Sequence, residues 1–545
     1  MHRVKHAHAL WSRTVRSAGQ IECCAARAAA RASSSRSSLP PRPPSEPRPS
    51  VKSVGETRPD RPTQPATPSA STGTGAPSRP PPSELLTVLE ETIKTHGPLP
   101  VSRYMTLCLN HPTLGYYTTR KVFGKEGDFV TSPEISQVFG ELLAIWFVTQ
   151  WLAQGSAQRV RLVELGPGRG TLLADILRTF KALPSHSRPP ISSIHLIEQS
   201  DQLKAVQKAR LAEAGFGETP VEWYADVKAV PESAGEFTIL VAHEFFDALP
   251  IHVFENTQNG WREVLVDVAD PNAIVSTAVT RNPLRLVLAP SPTPASMLYT
   301  SLAQAAFPSL SSAQKQPDLA SAAPAPDARN PLLLNVDTTL GYQPAPAPNS
   351  TTPVPGTLGA SEKVGDAGGA GSLTAQRFAR LPIGSRIEVS PASWEVARDV
   401  ARLIGGGEGA GGAGLVVDYG DAKAFGRSWR GFRKHQVVDP LTEPGHTDLT
   451  ANVDFSYLAE AMSEFASTHG PLIQLRFLTS LGLQPRLAAL LRGAPSEERR
   501  KEIESAARRL VDKGGMGEQY RFLGITPKKK QAGATGEGVF PFDLE

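Results

Sequence analysis

Four apolar segments alternate with helical patterns between residues 159 and 250, and this alternation constrains the fold most strongly. Near-continuous apolar runs are typical of strands that are buried on both faces of a sheet. Because helices separate these runs, we expect a parallel sheet with helices on both faces. The predicted strands are 159–166, 193–199, 221–226 and 237–250, and the predicted helices between them are 171–181 and 201–214. The sequence therefore predicts an α/β, Rossmann-like fold.

The rest of the chain adds a cap, insertions and low-complexity segments to this sheet. Two short helices from residue 84 form an N-terminal helical cap, and a long helix is expected from Ser132 to Leu152. Segments after residue 250 suit antiparallel hairpins, and further helices are expected at 477–491 and 502–513. We divide the chain into 1–45 (presequence), 46–83 (disordered Pro/Ser-rich linker), 84–290 (cap and first part of the α/β domain), 291–371 (low-complexity insertion), 372–525 (rest of the domain) and 526–545 (C-terminal tail).

The positive charge of the chain is concentrated at its N-terminus. Eight Lys or Arg and one Glu stand in residues 1–45, giving +7, so the rest of the chain carries −3 of the total +4. This segment is rich in Arg, Ser and Ala and has no apolar core of a secretory signal, which is typical of a mitochondrial transit peptide. A disordered basic arm is the alternative.

The segment from Val163 to Gly170 is the most informative stretch for chemistry. It reads VELGPGRG, so Gly166, Gly168 and Gly170 follow a strand and open a helix, where α/β sheets bind ligands. A dinucleotide site would have G-x-G-x-x-G and a pyrophosphate. Here Glu164 stands two positions before the first glycine, and a carboxylate would repel a pyrophosphate but attract the ammonium or sulfonium of S-adenosylmethionine.

Two further acids follow the next strands. Glu198, after the second strand, can accept hydrogen bonds from both ribose hydroxyls, and Asp226, after the third, is placed to meet an adenine amino group. The order of glycine loop, Glu, Asp and polar turn matches a class I S-adenosylmethionine-dependent methyltransferase. A Gly-rich turn in an ordinary α/β domain is the alternative.

The turn after the fourth strand reads HEFFDALP and is expected to touch the methyl acceptor. Glu244 and Asp247 could hold a guanidinium while a neighbouring Phe lines its face. Since arginine stays protonated in water, these carboxylates would also orient it and accept the proton that it releases. His243 is a third candidate catalytic residue. The alternative is that Glu244 caps a helix and that the two Phe side chains belong to the core.

These segments resemble the MidA family, the mitochondrial protein arginine methyltransferases that act as assembly factors for respiratory complex I. The resemblance implies S-adenosylmethionine as methyl donor, location in the mitochondrial matrix, and symmetric ω-N dimethylation of an arginine in a complex I subunit. It places Glu164, Gly166, Gly168 and Glu198 at the cofactor. The family usually has Asn where this chain has His243. The segments that carry the resemblance are 127–146, 162–177, 195–200, 243–254, 260–267, 386–394, 414–420 and 439–455.

The same resemblance draws attention to Asp128, in a loop before the long helix. It suggests a lid in which Asp128 contacts the methionine end of the cofactor, and a turn with an Asx cap explains this residue equally well. Asp418, Asp448 and Asn452 are further residues that are expected to face the cleft, with loop capping as the alternative for the last two.

The composition argues against several other classes of function. The −3 charge beyond residue 45 argues against nucleic acid, and no apolar run reaches the length of a membrane span, so no stable membrane insertion is expected. Cys23, Cys24 and Cys108 provide no thiolate zinc site, so no metal is expected. The competing hypotheses are a cofactor-binding assembly chaperone without catalysis and a methyltransferase with another mitochondrial substrate. The sequence leaves the oligomeric state open.

Overall fold

A computed structural model of the chain describes residues 83–119, 132–155, 158–232, 235–270, 282–299, 381–405, 411–528 and 538–544. The predicted presequence, almost all of the linker, and Asp128 lie outside the described residues. The predicted insertion 291–371 lies outside them from residue 300 onward. Within 291–299, the Thr293 hydroxyl donates to Glu263 Oε2 (2.6 Å) and Ser296 is buried.

Strands and helices alternate through most of the described chain. The strands are β1 (Leu99–Pro100), β2 (Val160–Leu165), β3 (Ile191–Ile197), β4 (Val221–Tyr224), β5 (Phe237–His243), β6 (His252–Thr257), β7 (Gly260–Val268), β8 (Leu284–Leu288), β9 (Arg386–Val389), β10 (Gly412–Asp421), β11 (Arg430–Arg433), β12 (Gln436–Val438), β13 (Asp448–Thr450), β14 (Val453–Asp454), β15 (Ala466–Ile473) and β16 (Tyr520–Pro527).

The helices cover this sheet framework and form the cap. They are α1 (Glu84–His96), α2 (Val101–Asn110), α3 (Tyr116–Thr119), α4 (Ser132–Ile135), α5 (Gln137–Ala153), α6 (Thr171–Ala182), α7 (Asp201–Glu213), α8 (Pro391–Gly405), α9 (Phe455–Met462), α10 (Gln474–Ser480), α11 (Leu483–Gly493), α12 (Glu497–Leu510) and α13 (Met516–Gln519). No helix among the described residues is both long and apolar enough to cross a membrane.

The main sheet has the strand order β15-β16-β10-β5-β2-β3-β4. Strands β10, β5, β2, β3 and β4 are mutually parallel, while β16 runs antiparallel to both of its neighbours. The predicted class I, Rossmann-like α/β architecture is confirmed.

The two faces of this sheet carry separate apolar cores, which explains why the strands read as continuous apolar runs. In β2, Leu162 packs against α5 and α6 on one face. Its neighbours Val163 and Leu165 pack against α8 and α9 on the other face. Because successive strand side chains point to opposite faces, every position of β2 has to be buried.

An antiparallel sheet and the N-terminal helices form a second layer of structure beside the main sheet. Its strands follow the order β1-β7-β6-β9, with β8 also paired to β7. The apolar sides of α1 and α2 pack on this sheet through residues such as Leu89 and Met105, which share one buried cluster with Val264 and Val266. The predicted helical cap and the antiparallel insertion therefore share one core.

Two local predictions differ from the structure, and two strands of the main sheet had no counterpart in the predictions. The long helix α5 begins after Ser136, whose hydroxyl accepts from the Val138 N–H, and Ser132 opens the separate short helix α4. The predicted helix 477–491 is two helices, broken at Gly482, which has a φ of +91°. Strands β15 and β16 were not predicted, and they complete the main sheet.

Candidate active site

A cleft of about 870 Å³ opens where β2, β3, β4 and β5 end at their carboxyl edges. It brings together most of the residues that the sequence singled out. The predicted residues that line it are Glu164, Gly166, Gly168, Glu198, Asp226, His243, Glu244 and Asp247. Gly170 is not part of its lining, and Asp128 lies outside the described residues. This position agrees with the binding of ligands at the carboxyl ends of parallel strands.

The glycine loop takes a backbone conformation that favours glycine. Gly166, Gly168 and Gly170 have φ values of +62°, +52° and +73°. A Cβ on Gly166 would lie 3.0 Å from the ring of Phe245, so the loop also needs the absence of a side chain there. Gly170 serves as the left-handed N-cap of α6. At Gly166 and Gly168, which line the cleft, the loop therefore exposes backbone and no side chain.

Glu164 gives the cleft a buried acid, one of whose oxygens has no hydrogen-bond partner among the described residues. Its side chain is 3% exposed, and its Oε2 accepts no hydrogen bond from the described residues. Burial raises the pKa of Glu164 to about 8. A cation bound beside this carboxyl would favour its charged form and satisfy the free oxygen. Glu164 therefore fits the cationic methionine end of S-adenosylmethionine.

Glu198 and Asp226 stand along the same wall, and each is held by neighbouring groups. Glu198 Oε1 accepts from the Ser200 N–H (2.8 Å) and Oε2 accepts from Gln207 Nε2 (3.2 Å), while burial raises the pKa of its carboxyl. Asp226 Oδ1 accepts from the Lys228 N–H (3.1 Å). Both carboxyl groups are thus fixed in orientation before any ligand arrives, as expected for residues that hold a nucleoside.

Glu244 opens the turn after β5 in a strained conformation. Its φ is +50°, which is unfavourable for a residue other than glycine. Its Oε1 accepts from the Tyr520 hydroxyl at 2.6 Å. Burial raises the pKa of Glu244 to about 8, with smaller upward contributions from Asp247 and Glu134. Strain of this kind at a cleft wall is typical of functional residues.

His243 lies next to Glu244 as a neutral ring. Burial lowers its pKa to about 3. The ring stacks on Tyr520, with 6.3 Å between centroids, and meets the edge of Phe139 at 5.1 Å. Its Nε2 lies 3.7 Å from Glu244 Oε1 and makes no hydrogen bond to the described residues. This nitrogen is therefore buried beside the cleft wall without a hydrogen-bond partner among the described residues.

Asp247 belongs to the same turn as Glu244 and also lines the cleft. Its Oδ2 accepts from the Thr450 hydroxyl at 2.7 Å. Burial raises the pKa of Asp247, against the lowering effect of this hydrogen bond and of the Arg430 charge. Phe246, between the two acids, is buried in the core, whereas Phe245 lines the cleft.

Sequence reasoning missed several residues that shape this end of the cleft. Tyr520 belongs to the unpredicted strand β16, and Thr450 lies 203 residues beyond its partner Asp247. Tyr117 of the cap lines the cleft and donates to Asp448 Oδ1 (3.0 Å). Asp448 is expected at the cleft from the sequence. The spacing along the chain does not indicate, however, that Tyr117 pairs with Asp448 or that Thr450 pairs with Asp247. Asp418 had also been expected to face the cleft; it instead accepts hydrogen bonds from the turn that follows β5.

The charge of the cleft is strongly unbalanced. Among the described lining residues, ten are Asp or Glu, and two, Arg169 and Lys228, are Arg or Lys. Such a lining favours cationic ligands at both ends of the cleft. Within the described ranges, no group of three or more His, Cys, Asp or Glu side chains is arranged to hold a metal ion.

Comparison with known proteins shows the family to which this chain belongs. A family model described as "Putative S-adenosyl-L-methionine-dependent methyltransferase" matches residues 142–333 and 359–472. The Mus musculus protein named protein arginine methyltransferase NDUFAF7, mitochondrial, is 34% identical over 462 residues, covering 82% of this chain and 85% of its own length. A Drosophila melanogaster homolog of that name is 32% identical over 488 residues, covering 83% of this chain and 90% of its own length.

One solved structure supports the fold. A Burkholderia thailandensis protein crystallised with S-adenosyl-homocysteine superposes with a TM-score of 0.55 at 22% sequence identity. The match covers 81% of this chain and 91% of the bacterial chain. The bacterial protein thus shares the architecture that positions the cleft.

Proposed function

This chain belongs to the family of S-adenosyl-L-methionine-dependent methyltransferases, and on that premise we propose that it methylates an arginine side chain of a mitochondrial protein. The observation that carries the proposal is the acceptor end of the cleft, where Glu244 and Asp247 present buried carboxyl groups. A guanidinium is the protein cation that two carboxyl groups hold best, because its planar donors match theirs.

The cofactor end of the cleft supplies the binding groups for the donor. Glu164 faces the cationic end, Glu198 takes the ribose hydroxyls, and Asp226 takes the adenine amino group. Bound S-adenosylmethionine supplies a methyl group activated by its sulfonium. Much of the rate then comes from holding the acceptor in line, which effective-molarity measurements put at roughly 7–11 kcal/mol for well-oriented groups.

The acceptor end has to bind a cation and then take up one of its protons. An arriving guanidinium favours the charged form of Glu244, so this carboxyl ionises when its ligand binds. The Tyr520 hydroxyl stabilises the resulting carboxylate. As the attacking nitrogen forms its new bond, it gives up a proton, and Glu244 is placed to accept it. Asp247, held by Thr450, keeps the guanidinium in orientation.

The finer assignment comes from the relatives and from the family resemblance. The mouse and fly relatives carry the words protein arginine methyltransferase and mitochondrial in their names. We therefore place this protein in the mitochondrial matrix, with residues 1–45 as its import sequence. The resemblance to the MidA family extends the proposal to symmetric ω-N dimethylation of a respiratory complex I subunit.

Direct methyl transfer tests the proposal. The chain from Ser83 onward is incubated with labelled S-adenosylmethionine and complex I subunits, and mass spectrometry locates and counts the added methyl groups. The wild type should label arginine. Glu244→Gln should lose about 100-fold or more in rate, because it cannot take the proton, yet it should retain affinity for S-adenosyl-homocysteine. The exposed Glu213→Gln on α7 is the matched control.

The absence of arginine labelling would decide against the proposed function. A wild type that binds S-adenosyl-homocysteine but labels no arginine in any subunit would overturn the proposal. If that protein still restored complex I assembly in cells that lack it, a chaperone role without catalysis would replace it.

A further inference from the structure

We propose that Asp418 is a positioning residue that clamps the acceptor turn from the neighbouring strand. The inference rests on the proposed function, because it concerns how Glu244 and Asp247 are held in place for the acceptor. Asp418 stands near the end of β10 and is fully buried. It is not part of the cleft lining, so it acts through the turn and not on the substrate.

The contacts of Asp418 converge on three successive residues of the turn. Its Oδ2 accepts from the backbone N–H groups of Phe245 (3.2 Å), Phe246 (3.0 Å) and Asp247 (3.3 Å). Its Oδ1 accepts from the N–H of Tyr419 (2.9 Å). One side chain therefore satisfies the backbone donors of most of the turn that carries the two acids.

The parallel pairing of β5 and β10 fixes where this clamp acts. Val417 pairs with His243, and the Glu244 N–H donates to the Val417 carbonyl at 2.9 Å. The next residue along β10 is Asp418, whose carboxyl group lies under the turn as the chain leaves β5. The ladder thus ends at Glu244, and Asp418 continues its hydrogen bonding through a side chain.

The backbone strain at Glu244 requires contacts that hold the turn in place. A left-handed backbone at a residue other than glycine is strained, and it persists only when the surroundings hold it. The Asp418 hydrogen bonds supply this constraint on the side of the turn that faces away from the cleft. They leave the side chains of Glu244 and Asp247 free to face the cleft.

Two substitutions weaken the clamp in steps. In Asp418→Asn one of the two accepting oxygens becomes an NH2 group, so either the turn or Tyr419 meets a donor in place of an acceptor. In Asp418→Ala both acceptors are lost. We expect kcat to fall about 10-fold in the first variant and about 100-fold in the second, because misplacement by about 1 Å can cost that much. The affinity for S-adenosyl-homocysteine should stay within about twofold, since a twofold change is well under 1 kcal/mol.

The matched control is Asp421→Asn on the same strand. Asp421 is partly exposed, lies 3.6 Å from Arg521 Nε, and makes no contact with the turn in the described structure. This variant makes the same Asp-to-Asn exchange on β10 but should keep kcat. If Asp421→Asn lowered kcat as much as Asp418→Asn, the effect would come from any such exchange on this strand, and the clamp would be rejected.

Hydrogen exchange tests the clamp without any methyl acceptor. In the wild type, the amides of Phe245, Phe246 and Asp247 should be protected, and Asp418→Asn should speed their exchange by about 10-fold or more, because weaker hydrogen bonds favour the open state from which amides exchange. Unprotected amides in the wild type would overturn the proposal without any variant. A loss of kcat, cofactor affinity and exchange protection in parallel throughout the chain would also overturn it, because Asp418 would then be merely structural.

The two proposals fail in different ways. If the wild type labels no arginine but Asp418→Asn loosens only the turn amides, then the proposed function fails and the clamp stands. If arginine is labelled at the wild-type rate by Asp418→Asn and Asp418→Ala, the clamp fails and the proposed function stands.

Discussion

Two of the acids that line the cleft, Glu164 and Glu244, are buried deeply enough to be neutral until a ligand arrives. Burial raises the pKa of Glu164 and of Glu244 to about 8, and it lowers the pKa of His243 to about 3. Near neutral pH, all three groups are therefore uncharged in the free protein. A cation restores the charge of the neighbouring carboxyl, so binding and ionisation are linked.

The hydroxyl of Tyr520 tunes this equilibrium at the acceptor end. Because it donates to Glu244 Oε1 at 2.6 Å, it favours the charged carboxylate. In Tyr520→Phe the pKa of Glu244 should rise further, and the limb of kcat/KM that increases with pH should move upward by about 1–2 pH units. A pH–rate profile measures this shift. Tyr104→Phe removes a buried hydroxyl that donates to the Pro440 carbonyl and should leave the profile in place; an unmoved profile in Tyr520→Phe would contradict the assignment.

Glu164 links the stability of the free protein to pH. Its pKa is raised from 4.5 to about 8 on folding, so its contribution is fully present below pH 4.5 and is lost as the pH rises toward 8. Glu164→Gln cannot ionise and escapes this loss. Its melting temperature relative to wild type should therefore be higher at pH 8 than at pH 5, measured without ligand. The exposed Glu213→Gln serves as control, and an offset for Glu164→Gln that is equal at both pH values would rule out the burial of an ionisable group.

At the scale of elements, Gly166 in the glycine loop meets two separate requirements: a positive φ and the absence of a Cβ beside Phe245. Gly166→Ala forces an alanine into a φ of +62° and brings its Cβ to 3.0 Å from the Phe245 ring. Gly155→Ala, after α5, imposes a φ of +100° with no neighbouring atom within 4 Å of the Cβ. Both should lose about 1 kcal/mol of stability. Only Gly166→Ala should weaken S-adenosyl-homocysteine binding, by about 10-fold as Phe245 is pushed aside, and calorimetry compares the two. Equal affinities would show that Phe245 does not shape the cofactor site.

Apolar sequence patterns predicted the strands in which every residue is buried. Strands β2 and β5 read as unbroken apolar runs because helices cover both of their faces. Strand β15 has the sequence ASTHGPLI and is only partly buried, so neither its composition nor its alternation indicates a strand. Because β16 is not predicted from the sequence, its residue Tyr520, which donates a hydrogen bond to Glu244, is not predicted at the site either.

The same reasoning explains what could be predicted of the site. Glu164 lies at the carboxyl end of β2, and Glu198 and Glu244 directly follow β3 and β5, so the order of elements alone brings them to one edge of the sheet. The partners of the turn come from elsewhere in the chain. Asp418 lies 172 residues beyond Phe246, and its contact depends on the register between β5 and β10, which no local pattern encodes.

At the scale of the whole molecule, the cleft is built from more than the main sheet. Tyr117 of the cap lines the acceptor end and donates to Asp448, on β13 of a separate three-stranded sheet. Asp247, at the end of the main sheet, accepts from Thr450 of the same β13 strand. The acceptor end therefore forms only when the cap, the small sheet and the main sheet pack together.

Residues 538–544 also belong to the folded molecule, although the sequence suggested a tail from 526. Phe542 packs on Trp146 of α5 and Phe477 of α10, and the Phe540 carbonyl accepts from Trp146 Nε1 (2.9 Å). Phe542→Ala should cost about 2 kcal/mol, less than the roughly 3–5 kcal/mol of a fully buried Phe, because Phe542 is half-buried. The exposed Leu544→Ala should cost under about 0.5 kcal/mol. Urea unfolding gives both values, and equal midpoints would show that this segment does not stabilise the fold.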